Sequence, residues 1–242
     1  MKQKLRYCHI LLFFSSLCFT GCVKDNLVSE KVIIPLDLIP AADTLNMKYL
    51  ALGDSYTIGE GVSAPERYPA QAAVLLRQEG VFLGSVEYIA QTGWTTGNLA
   101  GAIASKNLTN TYDIVTLMIG VNDQYQKNDT TGYRANFTNL LETSIRLAGY
   151  KKSRVIVLSI PDYGVTPFGA AWPKVGIQID AFNAINQSVS NAYKVTYLDI
   201  TVISRRAANH PELILGSGPH FTGAEYGLWA APLAGLIVKA LK

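Results

Sequence analysis

From residue 47 onward, short apolar runs alternate with longer stretches of helical period. Runs at 49–52, 86–90, 114–119, 155–160 and 195–200 are almost uninterrupted by polar residues. Their length and composition predict β-strands buried on both faces. Between them, 69–78, 136–148 and 177–192 carry helical patterns, and a final helix is expected over about 222–241. Strands alternating with helices at this spacing predict an α/β fold, a parallel sheet of five strands in a three-layer α/β/α sandwich. The last segment is apolar enough to suggest a membrane span. Pro232 interrupts it, however, and Lys239 sits inside its end, so it is read as a helix packed on the sheet. In such a sheet, ligands bind beyond the carboxyl ends of the strands, where loops lead into helices.

The N-terminal segment breaks this pattern. Lys2, Lys4 and Arg6 precede an apolar run over 10–19 that ends in Thr20, Gly21 and Cys22. A basic start, a short apolar core and a small-residue cleavage site describe an export signal over 1–21, and the run is too short to span a bilayer. Residues 19–22 resemble a bacterial lipobox, with Phe19 where leucine is usual. That resemblance implies cleavage before Cys22, lipid attachment to it, and a place in the bacterial cell envelope as a periplasmic or outer-membrane lipoprotein. Residues 22–46 contain Pro35 and Pro40, show no sustained period and read as a tether. The domain proper is 47–242.

This division changes the meaning of the composition. The 242 residues carry 21 basic and 18 acidic side chains, but without Lys2, Lys4 and Arg6 the two signs balance at 18 each. No basic surplus is left to suggest nucleic acid as a partner. Cys8, Cys18 and His9 leave with the signal. Cys22 is then the single remaining thiol, so no internal disulfide is expected, and His210 and His220 are the remaining imidazoles. With so few ligands, a Cys/His metal site is not expected.

Candidate chemistry gathers at the strand ends. The first run leads into Gly53-Asp54-Ser55-Tyr56-Thr57-Ile58-Gly59-Glu60-Gly61, whose glycines permit a tight turn with Ser55 at the start of a helix. A serine there can cap the helix or present its Oγ to a ligand. Asp54 and Asp123 suit structural hydrogen bonds in their turns. The second run is followed by Gln91-Thr92-Gly93-Trp94-Thr95, and the third by Gly120-Val121-Asn122-Asp123. A glycine N–H and an asparagine amide both donate hydrogen bonds without bringing charge, as stabilisation of an oxyanion requires. Ser217-Gly218-Pro219-His220 precedes the last helix and supplies a candidate imidazole base. His210 precedes Pro211 in a loop and reads as a surface residue. Trp94, Tyr125, Phe168 and Trp172 follow strands and suit either a pocket wall or the core.

In this order, the four blocks resemble the SGNH hydrolases, also called the GDSL esterase/lipase family, over essentially 47–242. The resemblance implies a sheet of order 2-1-3-4-5 and a serine esterase needing neither metal nor organic cofactor, with a small-molecule ester as its partner. It casts Ser55 as the nucleophile, His220 as the base, and the Ser55 N–H, Gly93 N–H and Asn122 amide as the oxyanion hole. One member of the pattern is missing. The family normally has an Asp three residues before the His, and here that position is Ser217. A backbone carbonyl, Glu212 or a water held by Ser217 could orient His220 instead. The implied substrates are lysophospholipids or short-chain acyl esters, with acetylated carbohydrate as the alternative. Because Ser217 cannot offset the charge that His220 gains, a catalytically silent binding lipoprotein is the rival reading.

Overall fold

The computed structural model describes residues 47–109, 111–127 and 129–242. The expected signal and tether lie outside these residues. Five strands, β1 (Met47–Gly53), β2 (Leu83–Ala90), β3 (Ile114–Met118), β4 (Val155–Leu158) and β5 (Thr196–Leu198), form one sheet in the order β2-β1-β3-β4-β5. Every adjacent pair is parallel. The expected fold and strand order are both present.

The central strands explain the apolar runs. Every residue of β3 and β4 is buried, as are the last five of β1, because helices cover both faces. One layer contains α2 (Tyr68–Gln78) packed on α8 (Gly223–Leu241); the other contains α3 (Thr96–Ser105), α5 (Tyr133–Leu147) and α6 (Val175–Tyr193), and a short α7 (Thr201–Ser204) follows β5. Trp229 of α8 is fully buried among Tyr68, Phe221 and Tyr226.

The expected final helix is present as α8, and two details of the helices go beyond the sequence pattern. The first concerns α8, which passes through Pro232 without a break. Proline removes the bond to the carbonyl one turn earlier, that of Leu228, and Leu228 is on the exposed side, where solvent can serve that oxygen. Among the described residues, no helix is long and apolar enough to cross a membrane. The second concerns α3, which the apolar pattern did not announce. Its buried face is only Thr96, Leu99 and Ile103, with Gly97 and Gly101 on the exposed side, and a capping box between Thr95 and Asn98 starts it instead.

The chain runs from β1 outward to β2 and then returns across β1 to β3. That reversal opens a crevice at the carboxyl ends of β1 and β3, the position at which open α/β sheets bind ligands. Gly53 ends β1 there. A Cβ on it would collide with the Thr57 side chain and lie 2.5 Å from the Met118 carbonyl oxygen of β3.

Candidate active site

Beyond Gly53 the chain turns sharply into a four-residue helix, α1 (Ser55–Ile58). Asp54 caps it by accepting a hydrogen bond from the Tyr56 N–H at 3.0 Å, the structural role its position suggests. Its other carboxylate oxygen is buried without a partner, and burial pushes the group up to about 8. Gly59 ends α1 in the left-handed conformation, φ 62°. Ser55 opens this helix largely buried, and it lines a cavity at the strand ends.

The partner of that hydroxyl comes from 165 positions away. His220 Nε2 lies 2.9 Å from Ser55 Oγ. Two devices hold the imidazole. An antiparallel bridge joins Ile214 to Phe221, and the Leu215 N–H donates to the His220 carbonyl at 2.9 Å. The Tyr56 hydroxyl donates to the Pro219 carbonyl at 2.9 Å, and its ring meets the His220 ring edge-on with centroids 5.1 Å apart.

The loop after β2 brings Gly93 to the same cavity. Its φ of 78° is one that glycine adopts without strain, and a Cβ there would meet open space. A second short helix at the strand ends, α4 (Val121–Lys127), clamps this loop. Asn122 Nδ2 donates to the Trp94 carbonyl at 3.1 Å, and Gln126 Nε2 donates to the Gly93 carbonyl at 2.9 Å. Asp123 accepts from the N–H and hydroxyl of Thr96 at 2.9 and 2.7 Å, which fixes α4 against the start of α3. Neither the Ser55 nor the Gly93 N–H has a partner among the described residues. Asn122 Nδ2 carries two hydrogens and has spent one. Three donors are therefore uncommitted beside the serine, in a cavity of about 260 Å³ lined by Ser55, Gly93, Asn122, Tyr125, Phe168 and His220.

The four candidate aromatics separate. Tyr125 and Phe168 line the cavity, and Trp172 lines an adjoining cleft of about 660 Å³ that also includes Gln124, Lys174 and Gln178. Trp94 packs against the core. Tyr163, which the sequence reading did not single out, lines both spaces and connects the cluster, its ring 6.3 Å from that of Tyr125.

Neither candidate for orienting His220 reaches it. Glu212 Oε1 is 3.0 Å from His210 Nδ1, and both side chains are exposed on their loop. Ser217 is exposed on a turn whose Gly216 takes φ 59°, and it makes no hydrogen bond with His220. The Leu215–His220 pairing pinches residues 216–219 into a tight turn that directs Ser217 outward. No carbonyl accepts from Nδ1 among the described residues either. The carboxylate beside the ring is instead Glu60, with Oε2 3.9 Å from Nε2. Burial holds His220 below the ordinary imidazole range, and Glu60 draws it partly back up.

An imidazole within hydrogen-bond reach of a serine hydroxyl, beside uncommitted N–H donors, at the switch point of a parallel sheet, defines a serine hydrolase of the α/β class. Residues 51–228 match the GDSL-like lipase/acylhydrolase family, and the chain belongs to it, a carboxylic ester hydrolase of the SGNH type. A search of curated protein sequences gives no match. Among solved structures, a lipase/acylhydrolase from Enterococcus faecalis superposes with TM-score 0.63 at 24% identity, covering 81% of this chain and 97% of its own. The acetylxylan esterase Axe2 from Geobacillus stearothermophilus gives TM-score 0.62 at 18% identity, covering 79% and 94%. The esterase EstA from a Pseudoalteromonas species, inhibited by monoethylphosphonate, gives 0.62 at 15%, covering 79% and 97%.

Proposed function

We propose that this protein hydrolyses short-chain acyl esters through an acyl-enzyme on Ser55. The observation that carries the reading is the 2.9 Å approach of His220 Nε2 to Ser55 Oγ at the cavity wall. His220 takes the hydroxyl proton as Oγ attacks the ester carbonyl, and the carbonyl electrons move onto oxygen. The Ser55 N–H, the Gly93 N–H and the Asn122 amide receive that oxyanion. The tetrahedral intermediate collapses, the C–O bond to the alcohol breaks, and Nε2 returns its proton to the leaving oxygen. Water, deprotonated by the same nitrogen, then attacks the acyl carbonyl; the bond to Oγ breaks, Nε2 returns the proton to Oγ, and the acid is released.

A space of about 260 Å³ beside the nucleophile suits a small acyl group better than a fatty chain. The wider cleft past Tyr125 suits the alcohol. Its exposed Trp172 ring, with the Gln178 amide nitrogen beside it, favours a sugar as that alcohol, which supports carbohydrate acetylesterase as the second reading. Lysophospholipid hydrolysis fits the cavity less well. Turnover of acetylated xylo-oligosaccharide, p-nitrophenyl acetate and lysophosphatidylcholine, compared as kcat/KM, tests this order. A lysophospholipid preferred over both acetyl esters would reverse it.

Labelling with a fluorophosphonate tests the nucleophile directly. The wild type is expected to label and Ser55→Ala not to. Absence of any Ser55-dependent labelling would support the silent binding lipoprotein instead. Asn122→Ala should lower kcat by a factor of roughly 10²–10³ with little change in KM, because the amide acts on charge that develops in the transition state. Hydrolysis by that variant at the wild-type rate would remove Asn122 from the oxyanion hole.

We also infer that the chain is exported and held at the cell envelope by lipid on Cys22, on the strength of the basic, apolar and small-residue order of 1–22. Cells fed labelled palmitate should incorporate label into the wild type and not into Cys22→Ser. Equal incorporation would refute the anchor.

A further inference from the structure

The reading of Ser55 and His220 leaves the base without a carboxylate at Nδ1. Resting on that reading, we propose that Glu60 assumes the charge-balancing task from the other side of the ring, as a positioning residue that stabilises the His220 imidazolium formed when Ser55 gives up its proton.

Glu60 is held in place from three directions. Its N–H donates to the Ser55 carbonyl at 2.9 Å, which fixes it to the nucleophile's turn. The Thr92 hydroxyl donates to Oε2, which fixes it to the loop that carries Gly93. Gly61, at φ 85°, packs so closely on Leu215 that a Cβ would collide with that side chain, and the Leu215 N–H donates to the His220 carbonyl. These contacts constrain a side chain that is otherwise 40% exposed.

At 3.9 Å from Nε2, Oε2 is beyond hydrogen-bond distance. The neutral imidazole therefore keeps its Nε2 lone pair for the serine proton. Once the proton has moved, that nitrogen carries positive charge beside a carboxylate, and the pair attract. When the alcohol leaves, the proton passes from Nε2 to its oxygen and the attraction ends. Glu60 itself neither gains nor loses a proton. An Asp at Nδ1 would fix the tautomer as well; Glu60 supplies charge alone.

Other titratable groups surround the ring. Tyr56 on α1, Tyr125 on α4 and Tyr163 after β4 line the cavity with neutral phenols. Glu225 on α8 accepts from Trp229 Nε1, Glu212 pairs with His210, and Asp54 is buried beneath Ser55 and pushed up to about 8. Glu60 is the carboxylate that bears on His220 among the described residues.

The test uses the full-length protein, whose three histidines, His9, His210 and His220, keep a proton NMR titration simple to assign, with His210→Ala as the assignment control. In Glu60→Gln, the His220 titration and the acidic limb of kcat/KM should both move down by about one pH unit. Its kcat plateau should fall about tenfold while KM stays nearly constant. Glu60→Asp should fall between the two. Thr92→Val, which cuts the tether, should move the limb in the same direction as Glu60→Gln and serves if that variant does not fold. A merely structural Glu60 would lower rates without moving either titration. An unmoved His220 titration in Glu60→Gln, or in Thr92→Val if that variant is used, overturns the proposal and leaves Ser55 and His220 intact. Activity surviving in Ser55→Ala would overturn the reading beneath it.

Discussion

Ser55→Ala and His220→Ala are each expected to lower kcat on an activated ester by at least roughly 10⁴-fold, and the double variant by no more than the worse of the two. The reason is that Oγ and Nε2, 2.9 Å apart, act as one unit. Without the hydroxyl, no covalent intermediate forms and the imidazole has no proton to take. Without the imidazole, the hydroxyl stays protonated and is a poor nucleophile. A second substitution therefore removes a partner that already has nothing to do. Residual activity would come from the free N–H donors, which still polarise a carbonyl. Steady-state kinetics on purified variants, with circular dichroism to establish that they fold, checks the result. Single variants whose losses multiply in the double variant would show that the two groups work separately.

The second large effect is on stability. Gly53→Ala is expected to destabilise the protein by about 4 kcal/mol, lowering Tm by roughly 8–16 °C. The new methyl would press on the Thr57 side chain and on the Met118 carbonyl, 2.5 Å away in the neighbouring strand. Backbone in the middle of a sheet cannot yield as the tip of a side chain can. Relief would require β1 and β3 to separate or α1 to lift, and either movement displaces Ser55. Activity per folded molecule should therefore fall along with Tm, measured by thermal melts and active-site titration. An unchanged Tm would mean that the strand ends are far less tightly packed than this.

Much of the arrangement could be read from the sequence because it depends on local pattern. Buried parallel strands are apolar throughout, so 114–119 and 155–160 marked β3 and β4 within a residue or two. The glycines around Ser55 and the position of His220 before α8 are local as well. The helix α3 was missed because its apolar face is thin and its starting signal is a hydrogen-bonded cap. Glu212 is eight positions from His220 in the chain, yet its side chain turns to His210. Glu60 is 160 positions away and lies beside the ring. Sequence distance carries no information about which carboxylate a folded loop presents to an imidazole. That depends on Gly59, Gly61 and the packing of Leu215, which become visible only when the turns are assembled.

Tyr56 follows the nucleophile directly in the chain, and its hydroxyl binds the carbonyl directly before the base. The two reacting groups are thereby yoked through a rigid side chain, alongside the Gly61–Leu215 contact, and not only through the sheet. Thermal motion that loosens the outer strands should carry Ser55 and His220 together and leave their spacing unchanged. The tolerance of this enzyme to heat or to drift at its sheet edges would then be limited by these turn-to-turn contacts, the phenol first among them, more than by the sheet that displays them.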